Sequence, residues 1–120
     1  MNQVDIKRVY DSPSPDDGYR VLVDRLWPRG VSHERTHLDG WLKDVAPSPS
    51  LRTWWDHDVA RLGEFAQRYR AELDHNPAVD ELRGLLREHA RVTLIYAAHD
   101  PHVNRAAVLS DYIRSPGEEQ

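Results

Sequence analysis

The sequence predicts a single small α/β domain with a mostly parallel short sheet, helices packed on it, and the element order ββααααβα. Three observations predict this class. Residues 4–10, 19–26 and 92–97 are rich in apolar and β-branched side chains and read as strands, the second apolar enough to be covered on both faces. The long stretch between the second and third strands carries apolar residues at helical spacing, the kind of crossover that parallel pairing needs. A length of 120 residues allows one hydrophobic core and no second domain.

Each element follows from local chemistry. Residues 4–10 end at Asp11-Ser12-Pro13-Ser14-Pro15-Asp16-Asp17-Gly18, a run of turn formers, so a loop follows the first strand. In residues 19–26, Val21, Val23 and Arg25 share one strand face and Leu22, Asp24 and Leu26 the other. Trp27-Pro28 must then leave the strand. From Thr36 onward, Leu38, Trp41, Leu42 and Val45 recur at helical spacing, Thr36 and Asp39 resemble a capping box, and Pro47 closes a short helix. Ser50 caps a second short helix bearing Leu51, Trp54 and Trp55. Asp58 caps a long one with Leu62, Phe65, Ala66, Tyr69 and Leu73 on one stripe. Asn76-Pro77 separates that helix from the next, whose inward residues are Leu82, Leu85 and Leu86. Asp100-Pro101 starts the last helix, after the third strand. Three strands are few for a sheet, so a fourth strand or a dimer would complete it. Residues 1–114 form the domain, and residues 115–120 are expected to be a disordered tail.

Composition narrows the function classes. Sixteen basic against twenty acidic residues give a net charge of −4, so bulk attraction to nucleic acid or an anionic membrane is not expected. An anion site must therefore be local. The absence of cysteine excludes disulfides, thiol nucleophiles and Cys-ligated zinc. Seven histidines complete no metal-ligand motif, so neither metal nor cofactor is expected. The opening MNQVDIKRVYD lacks a basic-then-apolar leader pattern, and no apolar run approaches the roughly 20 residues of a spanning helix; the expectation is a cytoplasmic protein without membrane contact.

Ligands of open parallel sheets collect beyond the carboxyl ends of the strands. Those ends gather Tyr10 and Asp11, then Arg25, Trp27 and Arg29, then Tyr96, His99 and Asp100, beside the first amides of the last helix. In Arg25-Leu26-Trp27-Pro28-Arg29-Gly30, two forked guanidinium groups sit on a stiff loop and suit a carboxylate or phosphate, with Trp27 free to stack a planar group. The expected ligand-binding residues are Arg25, Trp27, Arg29, Tyr96, Asn104 and Arg105, and the expected proton carriers are His57 and Asp100. The competing reading pairs Arg25 internally with Asp24, Asp44 or Asp100, makes Trp27 core and leaves Asp100 as a helix cap. The leading expectation is a small anionic or nucleotide-like ligand in an Arg/Trp-lined cleft, with hydrolase or transferase chemistry open to it. One alternative is a non-catalytic interaction module that uses Trp54 and Trp55 to dock a partner or a second copy. The other is a nucleic-acid-associated protein.

Through RVLVDRLWPRG, LDGWLKDVAPS, LRTWW, QRYRAEL and VTLIYAAHD, the chain resembles the YeaO-like branch of domain-of-unknown-function family 488, over residues 4 to about 112. The resemblance implies a small bacterial α/β domain of uncharacterised function. Members commonly carry His-Asn where this chain has Val103-Asn104, and Gly-His-Asp where it has Asp56-His57-Asp58. His57, Asp58 and Asn104 remain available, whereas position 103 loses any catalytic role. Longer members carry cysteines near the last strand; Tyr96-Ala97-Ala98 stands there, so no thiol chemistry carries over.

Overall fold

The computed structural model describes residues 3–56, 58–98 and 104–114. Strands β1 (Gln3–Arg8), β2 (Tyr19–Leu22), β3 (Gly40–Trp41) and β4 (Arg91–Tyr96) pair in parallel as one sheet in the order β1-β4-β2-β3. Its helices are α1 (His33–Thr36), α2 (Pro49–Trp55), α3 (Leu62–Asp74), α4 (Ala78–Glu88) and α5 (Arg105–Arg114). The α/β class and the parallel sheet are as the sequence predicts. The last strand in sequence is inserted between the first two, with Val4 opposite Val92 on one side and Val21 opposite Leu94 on the other.

The two sheet faces are covered differently. Val21, Val23, Leu94 and Tyr96 point into a large core with Trp55, Phe65, Leu82 and Leu109 from the helices. Each such side chain, fully buried, contributes about 1.5–3 kcal/mol relative to exposure. On the other face, Val9, Leu22 and Ile95 form a small cluster closed by Trp27, Val31, Leu38 and Trp41, which come from loops and the strand β3. The amino-terminal part of that face is polar. There Asp17 binds Lys7 at 3.1 Å and also Arg20. Arg20 donates to the Thr36 carbonyl through Nε and Nη2, and the Thr93 hydroxyl donates to the Asp17 carbonyl. Burial alone would raise the Asp17 carboxyl; the Ser14 amide, Lys7 and Arg20 outweigh it and hold it below the usual carboxylate range.

The short helix expected from Thr36 is replaced by three pieces. α1 lies earlier, capped by Ser32, whose hydroxyl accepts from the Arg35 amide, and it ends at His37 in the left-handed region at φ 49°. β3 follows, then a 3-10 turn at Lys43–Val45. The reason lies in where the apolar residues go: Leu38 and Trp41 join the small cluster, while Leu42 and Val45 join the large core. Residues that serve opposite faces of a sheet cannot share one helix stripe. β3 thus supplies the fourth strand that the sheet lacks in the sequence reading.

Other boundaries move by a few residues. Ser48, not Ser50, caps α2, because Pro49 fits the first helical position; the Ser48 hydroxyl accepts from the Leu51 amide at 3.2 Å. Asp58 caps a 3-10 turn at Val59–Arg61 that leads into α3. The expected start of the last helix at Asp100-Pro101 and the tail at residues 115–120 lie outside the described residues. Among the described residues, no helix is long and apolar enough to cross a membrane.

Candidate functional site

The carboxyl end of the sheet is built around Asp24. Beyond Leu22 the chain keeps one more ladder bond, from the Val23 amide to the Ile95 carbonyl at 3.0 Å, and then turns. Buried Asp24 accepts from the Ala97 amide through Oδ2 at 2.9 Å, and its own carbonyl accepts from Trp41 Nε1 at 2.7 Å. One residue therefore ties together the ends of β2, β4 and β3. Its Oδ1 lies 3.8 Å from Arg105 Nε, with both side chains largely buried. Asn104 starts α5 as its cap, accepting from the Ala107 amide through Oδ1 at 2.8 Å.

Arg25 approaches from the same side. Its Nη2 donates to the Ala46 and Pro47 carbonyls at 3.2 and 3.3 Å, while its Nε is buried without a hydrogen-bond partner among the described residues. From α3, Tyr69 reaches in and donates its hydroxyl to the Val45 carbonyl. Burial pushes this phenol far up; the Arg105 and Arg25 guanidinium groups pull it down, and Glu72 and Asp24 push it up. Both arginines therefore lie within electrostatic reach of one buried hydroxyl. Glu72 is engaged elsewhere, accepting from the Ser48 amide at 2.9 Å and the Ser48 hydroxyl at 2.6 Å. Tyr96 closes β4 inside the large core.

Of the residues expected to bind ligand, Arg25, Tyr96, Asn104 and Arg105 come together at the ends of β2 and β4. Trp27 and Arg29 do not join them. Trp27 crosses to the other face, where it stacks on His33 with ring centroids 3.8 Å apart and donates to the Val31 carbonyl. Arg29 is exposed on the loop. The expected Arg/Trp-lined cleft is thus split by the sheet. His57 and Asp100 lie outside the described residues. Arg25 meets carbonyls rather than Asp24 or Asp44, and Asp24 approaches Arg105 instead.

The sequence reading gives Asp24 no role beyond pairing with Arg25, and it misses Tyr69 and Glu72 at this site. An acidic residue inside an apolar strand was the available signal for Asp24. The proposed tryptophan surface is also reduced. Trp55 is core, stacked on Phe65 at 4.0 Å, and only Trp54 stays half-exposed, between the guanidinium groups of Arg61 and Arg68.

The topology explains why charge gathers here. The connections leaving β1 and β2 run over the small-cluster face, while β4 continues into α5 on the large-core face. Adjacent strands whose connections part to opposite faces leave a crevice between their carboxyl ends. The fold is thus a parallel α/β domain whose β2 and β4 ends gather charged residues where the connections part.

Comparison with known proteins gives the family. The family described as the inactive DUF488-N3 subclade matches residues 3–120, and the chain belongs to it. It is 43% identical over 111 residues to the uncharacterized protein Rv3073c of Mycobacterium tuberculosis, covering 92% of this chain and 93% of that protein. It is 38% identical over 112 residues to the uncharacterized protein YeaO of Escherichia coli, covering 93% and 97%. No solved structure matches.

Proposed function

We propose that the chain is a cytoplasmic binding domain for a small anionic or nucleotide-like molecule, taken at the carboxyl ends of β2 and β4 by Arg25 and Arg105. The observation that carries this reading is the buried Nε of Arg25, without a hydrogen-bond partner among the described residues, on the same side of the sheet as the Arg105 guanidinium that approaches Asp24 at 3.8 Å. A phosphate or carboxylate reaching that Nε would gain a charge-assisted hydrogen bond in a low-dielectric setting, worth about twice a neutral one. The switch-point topology and the capped start of α5 support the same place. Binding without turnover is favoured over hydrolase or transferase chemistry, because the family's description calls the subclade inactive. Titration calorimetry with inorganic phosphate and with adenosine monophosphate tests the reading. Wild type binds at least one of them, Arg25→Gln and Arg105→Gln each weaken binding at least about tenfold, and the exposed Arg29→Gln leaves it unchanged. Absence of binding to wild type, or equal binding by folded Arg25 and Arg105 variants, overturns it.

A further inference from the structure

Beyond the carboxyl end of β1, across the sheet from Arg25 and Arg105, lies a cavity of about 350 Å³. Its apolar lining includes buried Val9 and half-buried Val31, the latter fixed where its carbonyl accepts from Trp27 Nε1 at 2.7 Å. One wall is the turn after β1, with Asp11 and Ser12; the other carries Gly30, Arg35 and His37. Gly30 sits at φ +71°, and nothing lies within 4 Å of where its side chain would start, so that wall stays open.

Asp11 and Arg35 have opposite charge, line the same cavity and form no ion pair with one another among the described residues. Both side chains are exposed, so any attraction between them is weakened by water. A molecule carrying both complementary charges would turn that weak attraction into two direct charge-assisted hydrogen bonds. Val9 and Val31 would offer apolar surface to an aliphatic group, and the volume falls at the small end of the ligand-pocket range, about 300–1,000 Å³.

We propose that this cavity is a binding site for a small zwitterionic amino acid with an aliphatic side chain. Asp11 receives the ammonium group, Arg35 the carboxylate, and Val9 and Val31 the side chain. The site adjoins the crevice between β1 and β4, whose connections also part to opposite faces. It is independent of the anion site across the sheet.

Amide NMR titration of the wild-type chain with L-leucine, N-acetyl-L-leucine and L-leucinamide separates the contributions, because each derivative removes one charge and keeps the side chain. Leucine produces saturable shifts at the Gly30 and Val31 amides, and both derivatives bind at least about tenfold more weakly. Asp11→Asn and Arg35→Gln, at exposed positions, each reproduce the loss of about tenfold for leucine itself. The proposal is overturned if leucine gives no saturable shift up to about 10 mM, or if all three compounds bind alike. Shifts confined to the Arg105 and Ala106 amides would also overturn it, by assigning leucine to the anion site instead.

Discussion

Tyr69 shows how much one buried hydroxyl can report. Its bond to the Val45 carbonyl joins α3 to the segment that follows β3, inside the large core. Tyr69→Phe is expected to cost about 1 kcal/mol in urea unfolding at neutral pH, the net worth of one such bond. The larger signature is alkaline. Burial raises the native phenol above its ordinary value of 10.0. The contribution is therefore fully present below about pH 10 and is lost as pH rises past it, because the unfolded chain ionises there first. Stability of the wild type should fall more steeply than that of Tyr69→Phe above that pH, by about 1.4 kcal/mol per pH unit for the one proton. Parallel slopes in urea series across that range would show that this phenol is not the group held neutral.

Among the elements, the connection from β1 to β2 is packed closely against β4. A 3-10 turn at Pro15–Asp17 carries a capping box between Ser14 and Asp17, and Gly18 then enters β2 at φ +66°. A side-chain carbon on Gly18 would lie 2.3 Å from the Arg91 carbonyl oxygen of β4. Gly18→Ala therefore meets both backbone strain and a clash with the central strand, and is expected to destabilise by about 1–3 kcal/mol or more, read as a lowered Tm. An unchanged Tm would mean that the turn can move away from β4. β1, β2 and β4 follow from apolar runs whose alternation serves the two sheet faces, and α3 and α4 from helical stripes that face the large core alone. β3 hides because its neighbours divide between two cores, Leu38 and Trp41 on one side and Leu42 and Val45 on the other, which mimics helical spacing. At the site, Arg25, Tyr96, Asn104 and Arg105 are legible because parallel strands bring their carboxyl ends together. Trp27 is not, since five residues past the end of β2 the turn, rather than strand alternation, sets its direction. Tyr69 and Glu72 are not, since they arrive from a helix more than forty residues away from Arg25 in sequence.

For the molecule as a whole, the unequal cover of the two sheet faces sets where it opens. α2 to α5 pack the large core, but the small cluster is closed by loop residues and by β3, with α1 only four residues long. Few buried contacts over long connections mark a region that opens below the global unfolding free energy. Native-state hydrogen exchange should find the amides of α1 exchanging well before those of α3 and β4; equal protection would show one cooperative unit. The placement of β4 has a consequence for how the protein is made. Gln3 pairs with Arg91, 88 residues later, and β4 also supplies the partner for β2. A nascent chain that has cleared the ribosome only as far as α4 holds β1 and β2 with no strand between them. Their edges must stay soluble until the final quarter emerges, so synthesis that stalls before Tyr96 should yield an aggregation-prone fragment rather than a partial fold.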